Sequence, residues 1–455
     1  MSRYQKYPAY KDSGVEWIGD IPEHWEVKRL KFVSIVQPSN VDKKTNDGEF
    51  PVLLCNYSDV YNNFEIDSTL DFMQATATQE EIGKFHLSEG DVIVTKDSET
   101  PYDIAVPSYV KECFNNVICG YHLTQIKPKT IFGKYLFRLF QSTQFNAQFI
   151  VRANGVTRFG LPQYVINNAF IIKPLLEEQQ AIANFLDRKT AQIDELIAKK
   201  ESLLKKLDEK RTSLITQAVT KGLDLSVPMK DAGVEWIDVI PEHWEVKRLK
   251  NIASCNDESL NENTDPQYEI KYIDISSVNL NQGITNKETL LFEKAPSRAR
   301  RVVRNGDTIV STVRTYLKAI APIIDPEENL IVSTGFAVIR PKEHYHSCFL
   351  GNFLQTEGFV GQVVANSVGV SYPAINANEL LQISVIVPPQ EEQQAIATKI
   401  KKKTVMIDRQ KQQITEAIER LKEYRSALIT DAVTGKMDVH SYETKESFLP
   451  EQKRI

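Results

Sequence analysis

Apolar residues fall at seven-residue intervals over two long stretches of the chain. Leu186, Ile193, Leu207 and Leu214 hold the first grid, broken at Lys200, with Leu196 and Leu203 in the companion positions. Ile400, Ile407, Ile414, Leu421 and Leu428 hold the second without a break. Sustained spacing of this kind marks helices packed lengthwise on one another. Pro174 and Pro388-Pro389 stand just before the two stretches, where proline is tolerated, and Gly222 and Gly435 stand at their ends. Helices are therefore expected over 175–222 and 389–436. The second grid has Gln410 and Ala417 where the first has Leu196 and Leu203, and the first has Lys200 where the second has Ile414. Such complementary gaps predict two spacer helices that pair antiparallel with each other inside one chain. An ordinary three- or four-helix core using the same stripe is the alternative.

Elsewhere the pattern changes. Residues 26–174 and 245–388 have short β-branched and aromatic runs bounded by turn residues, the signature of α+β (mixed α/β) globules. Gly90-Asp91-Val92-Ile93-Val94 and Gly306-Asp307-Thr308-Ile309-Val310 read as corresponding turn-then-strand units. Leu123–Lys129 and Phe336–Lys342 read as a second such pair. A charged segment without periodicity, 437–455, is expected to be a mobile tail.

The two halves also share phrases outright. Lys11-Asp12-Ser13-Gly14-Val15-Glu16-Trp17-Ile18 and Ile21-Pro22-Glu23-His24-Trp25-Glu26-Val27 lie in or beside segment 1–25. They return as Lys230–Ile237 and Ile240–Val246, in or beside segment 223–244. Glu177–Ala183 returns as Glu391–Ala397, and Leu214–Thr220 as Leu428–Thr434, both 214 residues on. Two matching frames thus hold two divergent inserts, an internal repeat suited to doing one job at two different targets.

Composition adds limits. With 42% hydrophobic and 25% charged residues the chain is ordinary globular material. No stretch reaches the ~18–20 apolar residues needed to span a bilayer, and Met1–Lys6 lacks a signal-peptide core, so a cytoplasmic location is expected. The five cysteines form no C-x-x-C pair, which argues against a zinc site. A formal net charge of −5 argues mildly against stand-alone nucleic-acid binding. Locally, however, Arg298, Arg300, Arg301 and Arg304 crowd one stretch, whereas the first insert has Glu80, Glu81 and Glu89. The inserts are expected to divide phosphate contact unequally.

No phosphate-binding loop, dinucleotide fingerprint, nucleophile elbow or H-E-x-x-H helix occurs. His24 and His243, each followed by Trp-Glu, sit in the repeated phrase and read as packing residues rather than catalytic ones. What remains is polar loops at matching places in the two inserts. Reading bases needs fixed donors and acceptors: Arg or Lys for guanine, Asn or Gln for adenine, Ser or Thr for either. The first insert offers Asn56, Ser58, Lys96, Asp97, Ser98, Arg152, Thr157 and Arg158. The second offers Ser276, Arg300, Arg301, Ser311, Thr312, Arg314, Tyr316, Lys318, Ser371 and Tyr372.

The phrases Gly-Val-Glu-Trp-Ile, Ile-Pro-Glu-His-Trp-Glu-Val, Pro-Leu-Leu-Glu-Glu-Gln-Gln-Ala-Ile-Ala and Arg-Ser-Ala-Leu-Ile-Thr-Asp-Ala-Val-Thr-Gly-Lys resemble those of the DNA-specificity subunits of type I restriction–modification systems. The resemblance spans the chain apart from its tail. It implies two target-recognition domains, each reading half of a bipartite, asymmetric site in double-stranded DNA. It also implies a helical spacer that sets the gap and docks two methyltransferase subunits, joined by translocase–nuclease restriction subunits. S-adenosylmethionine, ATP and magnesium would be bound by those partners and not by this chain, which carries no catalytic residues of its own. Only loop positions transfer, since the loops differ between members. The competing readings are a protein-interaction scaffold built on the paired helices, a fused enzyme, and a silent specificity subunit.

Overall fold

The computed structural model describes residues 5–280 and 282–440. They divide into two compact units, the first formed by residues up to 199 together with those from 416, the second by the residues between.

In the first unit a five-stranded sheet runs in the order Ser34–Pro38, Leu123–Pro128, Val92–Thr95, Pro107–Val110, Glu65–Ile66. A three-stranded sheet, Val117–Cys119, Phe50–Cys55, Met73–Ala77, packs its own core beside it. Helices Gly133–Phe140 and Thr143–Ile150 bury Tyr135, Phe140, Phe145 and Phe149 against the larger sheet. The second unit repeats the plan. One four-stranded sheet runs Ala253–Cys255, Phe336–Pro341, Thr308–Ser311, Ile320–Pro322, and the other Glu288–Leu291, Glu269–Ile273, Leu330–Ser333, Ala299–Val302. Both turn-then-strand pairs form as the pattern predicts: Gly90 and Gly306 take left-handed φ of 93° and 90°, and the strands after them pair with Leu123–Pro128 and Phe336–Pro341.

Two continuous helices, Leu176–Lys221 and Gln390–Val433, contribute half of themselves to each unit. The halves pack antiparallel. In the first unit Leu186, Ile193, Leu428 and Ile429 share the core, and Arg425 donates to Asp194 at 2.9 and 3.2 Å. In the second, Ile400 and Ala218 lie in one core, Leu207 and Ile407 are buried, and Lys411 pairs with Asp208 at 2.5 Å. Leu214, Ile414 and Leu421 are half-buried.

Leu196 and Leu203 depart from the expected stripe, being 43% and 46% exposed. Ile193 and Leu207 stay buried on the grid, but the companion places are taken one residue later, by half-buried Ile197 and Leu204. An α-helix turns ~100° per residue, so that one-residue difference is enough to leave Leu196 and Leu203 in solvent.

The repeated phrase is a clamp on helix ends. Trp25 Nε1 donates to Glu178 at 3.2 Å and His24 Nε2 lies 3.0 Å from the same carboxylate, in the first turn of the first long helix. Trp244 Nε1 donates to Glu392 at 3.0 Å, with His243 at 2.6 Å, in the first turn of the second. Each indole is fully buried. The first residues of the expected tail are packed instead. Met437 and Val439 are buried in the first unit's core because two apolar side chains interrupt the polar run there, and the rest of that segment lies outside the described residues.

Candidate DNA-reading site

The candidate loops hang from the C-terminal end of the Gly-Asp strand in each unit, and their backbones are wired alike. In the first unit Lys96 N–H donates to His122 O at 3.0 Å, and Leu161 N–H donates to Lys96 O at 2.8 Å. In the second, Thr312 N–H donates to Gly335 O at 2.8 Å, and Ile375 N–H donates to Thr312 O at 2.9 Å. Lys96 therefore corresponds to Thr312, and His122 to Gly335. Asn56 and Asp274 correspond too, each capping a short helix that follows an inner strand, Phe50–Cys55 or Glu269–Ile273.

In the second unit a cleft gathers Ser276, Arg298, Arg314 and Tyr372 from four separate loops. Arg314 holds a left-handed φ of 51°, which a non-glycine residue adopts only when its surroundings impose it. Its guanidinium lies 4.8 Å from the Tyr372 ring centroid, a cation–π contact. Arg298 donates to Tyr272 Oη at 3.1 Å and pairs with Asp274 at 2.8 Å. Partial burial pushes the Asp274 carboxyl up, but bonds from Ser276 N–H and Tyr272 and the Arg298 charge outweigh it, so it lies below its ordinary value. Cation, carboxylate and aromatic faces thus line one cleft.

The first unit brings different chemistry to the matching place. His122 Nδ1 lies 2.5 Å from Asp97 Oδ2, and Tyr121 stacks edge-on with His122 at 4.1 Å. Lys96 Nζ sits 4.5 Å over the Tyr121 ring and donates to Ser39 O at 3.0 Å. Arg158 Nη2 approaches the His122 ring to 3.4 Å. Tyr57 stacks on Tyr61 at 5.5 Å, and Tyr61 donates to Asp103, which pushes its phenol up to about 12.

Several candidates lie elsewhere than expected. Asn56 is buried, caps its helix and donates to Leu54 O at 3.3 Å. Ser98 and Ser311 are buried, Ser98 within a strand pair and Ser311 donating to Val313 O at 2.6 Å. The Thr312 hydroxyl donates to Gly335 O at 2.9 Å. The Ser311 and Thr312 hydroxyls are thus spent on the turn backbone around them. The arginine cluster splits: Arg300 stacks 4.6 Å from the Phe292 centroid, Arg301 donates to Ser259 at 3.2 Å, and Arg304 pairs with Glu258 at 2.8 Å. None of the three lines the cleft that takes Arg298. Lys318 is exposed and lines a separate groove with Arg211 and Lys401, while Tyr316 is exposed on the same loop. Ser58, Arg152, Thr157 and Ser371 are exposed. On the acidic side of the first insert, Glu81 completes a capping box with Thr78.

Sequence reasoning missed Tyr121, His122 and the cleft role of Arg298. The first two directly precede a legible strand, and its matching start in the other insert was the available signal.

Two α+β units, each packed on antiparallel halves of the two long helices and presenting unlike polar side chains from like backbone frames, define a duplicated recognition protein. Residues 22–206 and 241–420 match the family model of the type I restriction modification DNA specificity domain. The chain belongs to that family and is a DNA-sequence-recognition subunit of type I restriction–modification. It is 25% identical over 422 residues to a putative type I restriction enzyme MjaX specificity subunit from Methanocaldococcus jannaschii, covering 89% of this chain and 93% of that one. A chain solved in work on complex assembly and conformational transition of the type I R-M system shares its fold, with a TM-score of 0.63 at 18% identity, covering 91% of this chain and 98% of that one. The HsdS subunit from Thermoanaerobacter tengcongensis gives 0.51 at 17% identity, covering 92% and 98%. Among the described residues no helix is long and apolar enough to cross a membrane.

Proposed function

We propose that each unit reads one half of a bipartite, asymmetric site in double-stranded DNA, and that the paired helices fix the gap between the halves. The reading is carried by one observation: identical backbone wiring at Lys96–His122 and Thr312–Gly335 presents unlike side chains. One scaffold then delivers two specificities. The Arg314 fork and Arg298 suit guanine edges in the major groove, whereas Lys96, His122–Asp97 and Arg158 offer a different set of donors and acceptors.

The helices also supply the docking surface for two methyltransferase subunits, with restriction subunits completing the nuclease. This chain contributes recognition, and S-adenosylmethionine, ATP and magnesium bind to its partners. A pure protein scaffold would not need two divergent clefts in matched frames, and the family membership removes its main support.

Helix length tests the proposal. Four residues inserted in register into one long helix add ~6 Å of rise. The gap should lengthen by about one or two base pairs, at ~3.4 Å each, with both half-sites unchanged in the methylated motif. A changed half-site with an unchanged gap would sink the ruler.

A further inference from the structure

Val156 and Val370 are the two most exposed large apolar side chains among the described residues, at 93% and 102%. They occupy the same position in the two repeats, 214 residues apart, the offset that also relates the helix phrases. Each follows a glycine with positive φ, Gly155 at 151° and Gly369 at 116°. A Cβ on Gly155 would collide with the Arg158 carbonyl, and one on Gly369 would stand 3.2 Å from Tyr372 O, so the chain doubles back tightly there.

Both tips are closed hairpins. Asn154 and Gly160 exchange backbone bonds at 3.1 and 2.9 Å, and Val368 and Ala374 exchange them at 2.8 and 3.0 Å. Each hairpin is tied to the base-reading loop through Leu161 or Ile375. A valine held in water on an anchored tip leaves its apolar surface uncovered, and the same exposure at the matching place of both repeats points to a shared partner.

Side chains just past the tip differ, Thr157-Arg158 against Ser371-Tyr372, as expected of residues that read different bases. Gly-Val does not differ. A feature common to two unlike half-sites serves an event common to both. Methyl transfer to a duplex base requires that base to leave the stack, and apolar side chains pushed between base steps open stacks of this kind.

We propose that Val156 and Val370 are apolar wedges that enter the base stack of their own half-sites and hold the duplex open beside the base to be methylated. The inference rests on the half-site reading given above. Arg158 and the Arg314–Tyr372 stack flank the wedges and hold the neighbouring backbone and bases in register.

The test uses the complete methyltransferase complex and duplexes carrying its mapped motif, with 2-aminopurine at the target adenine of one half-site at a time for fluorescence and the unmodified duplex for the methylation rate. V370G should cut both the fluorescence gain and the methylation rate about tenfold at the half-site of the second unit, sparing the other. V156G should do the reverse. V370T, which keeps the volume, should retain most of the signal. The methylated motif and the melting temperature should stay unchanged. Unchanged fluorescence, equal losses at both half-sites, or an altered motif would overturn the wedge. If the wild-type complex methylates no two-part motif, the half-site reading itself fails.

Discussion

The indole of Trp25 closes over Gly435, so that a methyl group on that glycine would stand 3.0 Å from Trp25 Cζ3 and 2.7 Å from Pro22 Cγ. Gly222 meets Trp244 in the same way, with its nearest atom, Cζ2, at 3.2 Å. Both glycines follow a long helix with left-handed φ, 74° and 81°. Either Gly→Ala change should therefore cost about 1–3 kcal/mol from backbone strain alone. Gly435→Ala should cost more, because proline ring atoms and an indole leave its Cβ no room. Urea unfolding of the full chain measures both, and equal costs would contradict the packing.

The helix stripe makes a sharper comparison. Ile193 is 8% exposed and Leu196 is 43% exposed. Ile193→Ala should destabilise by about 2–4 kcal/mol, and Leu196→Ala by about 0.5 kcal/mol or less. Comparable losses in thermal unfolding would restore the uncorrected heptad.

Arg314 should set one half of the recognised site. Losing a bidentate base contact costs about 1–3 kcal/mol of discrimination. Arg314→Ala should relax one position in the half-site of the second unit and leave the other half-site intact. Arg314→Lys should rescue it poorly, since an ammonium lacks the planar fork that stacks on Tyr372. Methylated-motif sequencing of both variants checks this. Relaxation in both halves would refute the assignment.

Asp187 ties the first unit to its helix. Its carboxylate accepts from Lys134 at 2.8 Å and from Arg138 at 2.7 Å. Burial pushes its carboxyl up, but the bonds from Lys134 and Arg138 outweigh burial and hold it below the usual range. A lowered folded-state value means stability that is present above the unfolded value of ~3.9 and lost as pH falls through the folded value. Asp187→Asn should flatten the acid limb of stability against pH below about 4 and cost about 1–2 kcal/mol at neutral pH. Parallel wild-type and variant curves would exclude this role.

Much of this architecture was legible. Glu178 and Glu392 recur in repeated phrases, so the frame announced itself twice, and the α+β inserts followed from their turn-bounded runs. The helix stripe was legible in spacing but not in its companion positions, because leucines lie at both Leu196 and Leu203 and at Leu204, with Ile197 beside them, and only packing shows which side is covered. Loop hydroxyls were the hardest to place. Ser98 and Ser311 look like Ser58 and Ser371 in a sequence, and only the fold shows which hydroxyls are buried in the turn backbone. Arg298 and Arg300 are two residues apart, yet one lines the cleft and the other stacks on Phe292. Val156 and Val370 were hidden differently: a repeated Gly-Val at the helix offset is apolar, and exposure on a hairpin tip shows only in the fold.

Adenine methylation mapped across the host genome by long-read sequencing, with this gene present and deleted, tests the central claim most directly. Two-unit recognition predicts that deletion removes one motif made of two unlike short half-sites separated by a fixed gap. If every methylated motif persists, or if the lost motif is a single uninterrupted sequence, that claim is contradicted.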